Sequence, residues 1–193
     1  QESLNQNDPV KNNSRDISTS KGELVESSDV FDPNLKPQST LMYTSEGAII
    51  SGVRIIAKNG KQVNVLKRGE EYTYQYSATF TEAANIVRGG AMLKTTTGIE
   101  ISGLQSHNSK GGIEFVEKGE VLLFSFKFRC SLLPGMYFFN AGVVGKKDGV
   151  EVFLHRIVDA LALRVANESN MSVVGIVDIA VSDSRDNVVE FIK

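Results

Sequence analysis

"LFSFKFRCSLLPGMYFFNAGV" (Leu123 to Val143) alternates cleanly at first, breaks at Leu-Pro-Gly, and resumes as a second apolar run. Phe124, Phe126 and Phe128 share one parity, while Ser125, Lys127 and Arg129 share the other. An extended chain therefore sets three aromatics on one face and two cations opposite, which predicts a strand with one buried side. Cys130 follows in the parity of the phenylalanines, so its thiol is expected to close the core face as a small hydrophobe rather than to act as a nucleophile. What meets Lys127 and Arg129 is the question the stretch raises.

The same reading extends outward along the chain. In "EYTYQYSATF" (Glu71 to Phe80), Tyr72, Tyr74, Tyr76, Ala78 and Phe80 are assigned inward and Thr73, Gln75, Ser77 and Thr79 outward. In "MYFFNAGVV" both parities are apolar, so one of the pairs Tyr137/Phe139 and Met136/Phe138 must face solvent or a second layer. From Thr40 onward, β-branched and aromatic runs are divided by turns such as Asn59-Gly60, Lys118-Gly119 and Asp148-Gly149, and helical period is nearly absent. That is the pattern of an all-β sandwich or barrel. Val150 to Val165 is long enough for one bent strand, two strands with a bulge near His155, or a partly helical segment.

Residues 1–38 are rich in Gln, Asn, Ser, Asp and Lys and carry Pro9, Pro33 and Pro37, which predicts a tether; 39–193 are expected to form the folded domain. The chain starts at Gln1 without Met and reads as a fragment or processed product. A formal net charge of -2 offers no global field for nucleic acid or anionic membrane, and no run approaches the ~20 apolar residues of a membrane helix.

Catalytic chemistry finds little support. His107 and His155 are far apart without metal-ligand spacing, and one cysteine excludes an internal disulfide or a multi-cysteine cluster. "NAGVVGKK" (Asn140 to Lys147) has Asn and Lys where a phosphate loop needs Gly and Ser or Thr. Glu114, Glu117, Glu120 and Glu151 sit at strand ends or turns, where carboxylates are solvated, and "DIAVSDSRDN" (Asp178 to Asn187) misses the oxygen spacing of a calcium loop. No enzyme and no cofactor is expected. The outward residues instead have recognition chemistry: hydroxyls, an amide and cations beside exposed aromatics can read a sugar's hydroxyls and cover its C–H faces.

The order of "AIISGVRIIAKNGKQVNVLKRGEEYTYQYSATF", "RGGAMLKTTTGIEISG", "KGEVLLFSFKF", "LLPGMYFFNAGV", "VDALALRV" and "VVGIVDI" resembles the C-terminal domain of Wzt-type polysaccharide ABC transporter subunits. The resemblance implies an immunoglobulin-like antiparallel β-sandwich that binds O-antigen polysaccharide at its non-reducing end, modified or not, and performs no catalysis. It also implies a cytoplasmic location at the inner membrane, a missing N-terminal ATPase domain docked on a membrane-spanning subunit, and a homodimer for which exchange of "NVVEFIK" is one route; the alternative is a structural or protein-interaction β-sandwich without sugar binding. No nucleic acid partner is implied. On this reading Gln75, Ser77, Lys127, Arg129, Tyr137, Phe139 and His155 line one glycan groove, and Arg129→Ala or Tyr137→Ala should weaken binding without unfolding the domain.

Overall fold

The computed structural model describes residues 30–108, 110–169 and 171–180. Among these described residues eleven strands follow in chain order: β1 (Leu41–Met42), β2 (Ala48–Ala57), β3 (Gln62–Val63), β4 (Val65–Leu66), β5 (Glu71–Phe80), β6 (Ala84–Thr95), β7 (Glu100–Gln105), β8 (Ile113–Val116), β9 (Val121–Arg129), β10 (Gly135–Lys147) and β11 (Val150–Val165). They form an all-β sandwich. One sheet runs β1-β11-β10-β6-β7, with β8 beside β6 and β4 beside β11; the other runs β3-β2-β5-β9. Every pairing is antiparallel except β4 with β11.

The alternation sorted β5 and β9 correctly. Tyr72, Tyr74, Tyr76, Ala78, Phe80, Phe124 and Phe126 are buried between the sheets, and Cys130 closes the same face. From the larger sheet Tyr137, Phe139, Ala141 and Val143 answer them, with Tyr74 stacked on Phe139 at 4.4 Å between centroids. Such pairs stabilise beyond the area they bury, by roughly 0.5–1.5 kcal/mol. Gly89 of β6 is required here, because a Cβ would lie 2.3 Å from the Phe124 ring. Asp148 and Gly149 both have positive φ, the two-residue turn that joins β10 to β11 with the twist a hairpin needs.

β11 settles the ambiguity of Val150 to Val165 as one long strand with two irregularities against β10. Register shifts between the pairs Val143↔His155 and Val144↔Phe153, leaving Leu154 unpaired, and again between Phe139↔Leu161 and Ala141↔Ile157. Both flaws matter for the surface described below.

The segment expected to be a tether is engaged from Val30 onward: Val30 bridges Val65, and Asn64 exchanges hydrogen bonds with the Asp32 backbone, at 2.7 Å to its N–H and 2.8 Å to its carbonyl. Further along, Ser39 and Thr40 hydrogen-bond Asp159, so the chain reaches β1 already fastened to β11. The "NVVEFIK" segment lies outside the described residues.

Candidate functional site

The structure separates the seven predicted site residues. Gln75, Ser77, Lys127 and Arg129 do share the outer face of the smaller sheet: Gln75 Nε2 donates to Ser125 Oγ at 3.0 Å, Lys127 stands opposite Thr73, and Arg129 opposite Glu71. Arg129 Nε donates to the Gly69 carbonyl at 3.0 Å. Neither cation has a carboxylate within ion-pair distance among the described residues.

Tyr137 and Phe139 are not on that face. They are the inward pair of β10, and Tyr137 spends its hydroxyl on the Leu133 carbonyl at 2.8 Å. Met136 and Phe138 are the outward pair. His155 is also buried: its Nδ1 accepts from the Ile50 N–H at 2.9 Å, tying β11 to β2 of the opposite sheet. An accepting Nδ1 places the proton on Nε2. A backbone hydrogen bond with Tyr43 engages the ring as well, while burial lowers its pKa below the ordinary 6.5. A groove uniting these three with Lys127 does not exist; the sandwich core lies between them.

A different depression is cut into the outer face of the larger sheet. Across β11, β10, β6 and β7, the residues Arg156, Gly142, Gly90 and Gln105 stand in one register row. Two adjacent glycines between longer side chains make a trough. Phe153, Val144 and Arg88 form the next row and its wall, while Asn140, Met92 and Gly103 form the row on the other side. The resulting cavity is about 260 Å³.

The trough is held from beneath. Tyr76 of the opposite sheet reaches through the core so that its hydroxyl accepts from Gly90 N–H at 2.9 Å and donates to the Gly142 carbonyl at 2.7 Å. Burial raises the pKa of this phenol, which keeps it a neutral donor. One wall is charged: Arg88, almost wholly buried, pairs with Glu151 and also donates to the Gly111 carbonyl at 3.3 Å. The other end is aromatic: Phe153 is half exposed, with the Arg156 guanidinium 5.1 Å from its ring centroid. Asn140 is buried, its Oδ1 accepting from Asp159 N–H at 2.8 Å. Asp159 in turn pairs with Lys94 at 2.7 Å.

Chemically the trough has the parts a ligand site uses: a concave floor, one ring face, and fixed donors and acceptors. Among the described residues, no three His, Cys, Asp or Glu side chains converge as a metal site would require. Sequence reasoning had no view of Arg88, Phe153 or Arg156 as site residues. The glycines were the available signal, since Gly90 and Gly142 interrupt otherwise side-chain-rich strands.

The comparisons with known proteins agree with the fold. The family model of the Wzt C-terminal domain matches residues 39–179. The solved structure of a C-terminal domain of wzt is similar at TM-score 0.68 and 22% identity, covering 77% of this chain and 89% of that one. The CARDB domain of a Pyrococcus furiosus protein is a more distant likeness, at TM-score 0.39 and 14% identity, covering 64% of this chain and 93% of that one. No curated protein matches. With nearly all of the described sandwich inside the matched span, the chain belongs to the Wzt C-terminal domain family, the binding module of an ABC transporter subunit.

Proposed function

We propose that this domain binds a polysaccharide in the trough of the larger sheet and so selects glycan for export by its transporter. The observation that carries the reading is the row Arg156-Gly142-Gly90-Gln105, a glycine floor between polar ends with Phe153 beside it. A sugar ring laid on the glycines can place its C–H face against Phe153 and its hydroxyls against Gln105, Asn140 and the Arg88–Glu151 pair. Buried polar groups are costly unless partnered, and a floor braced by Tyr76 stays in shape when the ligand is absent. The family adds the export context. In that context the domain reads the non-reducing end of an O-antigen chain, works as a homodimer, and is carried by an ATPase domain docked on the membrane-spanning subunit at the cytoplasmic side of the inner membrane.

A second reading keeps the glycan on the smaller sheet, because Gln75, Ser77, Lys127 and Arg129 share one face and neither Lys127 nor Arg129 has a carboxylate partner among the described residues. Titrating the chain with a bacterial O polysaccharide separates the two readings. Phe153→Ala should weaken binding by about ten-fold or more if the trough is the site, a loss of ~1.4 kcal/mol or more that fits an aromatic anchor. Loss in Arg129→Ala with Phe153→Ala unchanged would place the site on the smaller sheet.

A further inference from the structure

Beyond Phe153 lies a second hollow, of about 310 Å³, lined by Tyr43, Thr44, Glu46 and His155 and sharing Phe153 and Arg156 with the trough. The first cavity alone is smaller than the ~300–1,000 Å³ usual for ligand sites, whereas the two together fall within that range. Arg156 lies against both rings, 5.1 Å from the Phe153 centroid and 5.7 Å from that of Tyr43. A guanidinium resting on rings keeps its edge N–H groups available to a ligand.

We infer that the two hollows are adjoining subsites of one groove, so that the occupant is an uncharged oligosaccharide segment of at least two rings with Arg156 at their junction. This rests on the carbohydrate reading above and narrows it. The second subsite is prearranged. Leu41 and Met42 pair with Val158 and Ile157, Tyr43 N–H donates to the Arg156 carbonyl at 3.0 Å, and His155 holds the Tyr43 backbone from below. The wall is therefore supplied by the chain just as it reaches the sandwich, a segment remote in sequence from the trough.

The charge of the groove fixes the class of ligand. Arg88 is matched by Glu151, and Glu46 and Glu100 stand at the two ends against Arg156. No net positive charge is left for an anionic polymer, so hydrogen bonding and ring contact must dominate.

The test uses the 193-residue chain. It is screened on an array of bacterial O polysaccharides, and the polymer that binds is cut by mild acid into fragments of increasing length for calorimetric titration. Affinity should rise by at least about ten-fold from a single sugar to a two- or three-residue fragment, as expected when a second contact becomes intramolecular, and then level off. Thr44→Trp, which fills the second hollow without altering the β1 ladder, should remove that gain, and Tyr43→Ala should weaken the longer fragments more than the single sugar. Raising salt from about 50 mM to about 500 mM should leave the dissociation constant within about two-fold, because no ion pair forms with the ligand. A single sugar binding as tightly as longer fragments, equal losses at every length, or a steep salt dependence would overturn the inference and leave glycan binding intact. If the folded chain binds no polymer at all, the carbohydrate reading fails and this inference falls with it.

Discussion

The two outer faces of the sandwich are built from opposite materials. On the smaller sheet, β5 and β9 present short hydroxyls, Gln75 and two cations in strict alternation, in a continuous register from Glu71↔Arg129 to Thr79↔Val121. On the larger sheet, register shifts on β11, glycines replace side chains in mid-strand, and Arg88, Asn140 and Asp159 are buried. None of the described buried polar or charged residues lies on a strand of the smaller sheet. The regularity belongs to the β5–β9 pair, since β2 beside β5 carries a register shift between Ser51 and Arg54. The buried polar groups of the larger sheet are partnered within it, Arg88 with Glu151 and Asp159 with Lys94 and Asn140, and the proposed site is built on them.

Substitutions can break this comparison, and the largest effect should come from the floor. Gly142→Leu puts a side chain where a Cβ already meets Phe153 at 3.2 Å, so the trough closes. Polysaccharide binding should fall by about a hundred-fold or more, in the range of a lost hot spot, while circular dichroism shows the domain still folded. Retained affinity in Gly142→Leu would mean that the trough is not used.

Next in size is the brace. Tyr76→Phe removes the hydroxyl that joins Gly90 to Gly142 and leaves two buried backbone groups without that partner. Urea unfolding should show a loss of about 1–3 kcal/mol, and affinity should drop with it. The corresponding change on the other face, Gln75→Ala, breaks a hydrogen bond at the surface and should fall within about 0.5 kcal/mol of wild type.

A smaller, pH-dependent effect sharpens the contrast. Burial lowers the His155 pKa, so between its folded value and the unfolded 6.5 the unfolded chain binds more protons. Its contribution is fully present above about pH 6.5 and is lost as pH falls through the folded value, because protonation destroys the acceptor at Nδ1 that holds Ile50. Thermal melts across this window should show a decline that His155→Gln abolishes. The smallest effect is expected from Lys127→Ala, whose stability should stay within about 0.5 kcal/mol of wild type.

The inward and outward sets of β5 and β9 were legible because each strand is unbroken, and period two then assigns every residue. Tyr137 and Phe139 were misplaced for a related reason. With both parities of β10 apolar, alternation identifies two candidate pairs and says nothing about which one meets the core. Of the trough, only its two mid-strand glycines left a mark in the sequence. Phe153 and Arg156 are three apart, so strict alternation puts them on opposite faces; the unpaired Leu154 lets Leu154 and His155 both turn inward and brings the two flanking residues to one surface. Its floor also gathers Gly90 and Gly142 from strands distant in sequence, a juxtaposition that only the register supplies.

The central claim, that the larger sheet carries the glycan, is tested most directly by titrating Phe153→Ala and Arg129→Ala with one O polysaccharide that binds the wild-type chain. The account predicts a loss of at least about ten-fold for Phe153→Ala and a change within about two-fold for Arg129→Ala. The reverse pattern would contradict it and return the site to the face of Lys127 and Arg129.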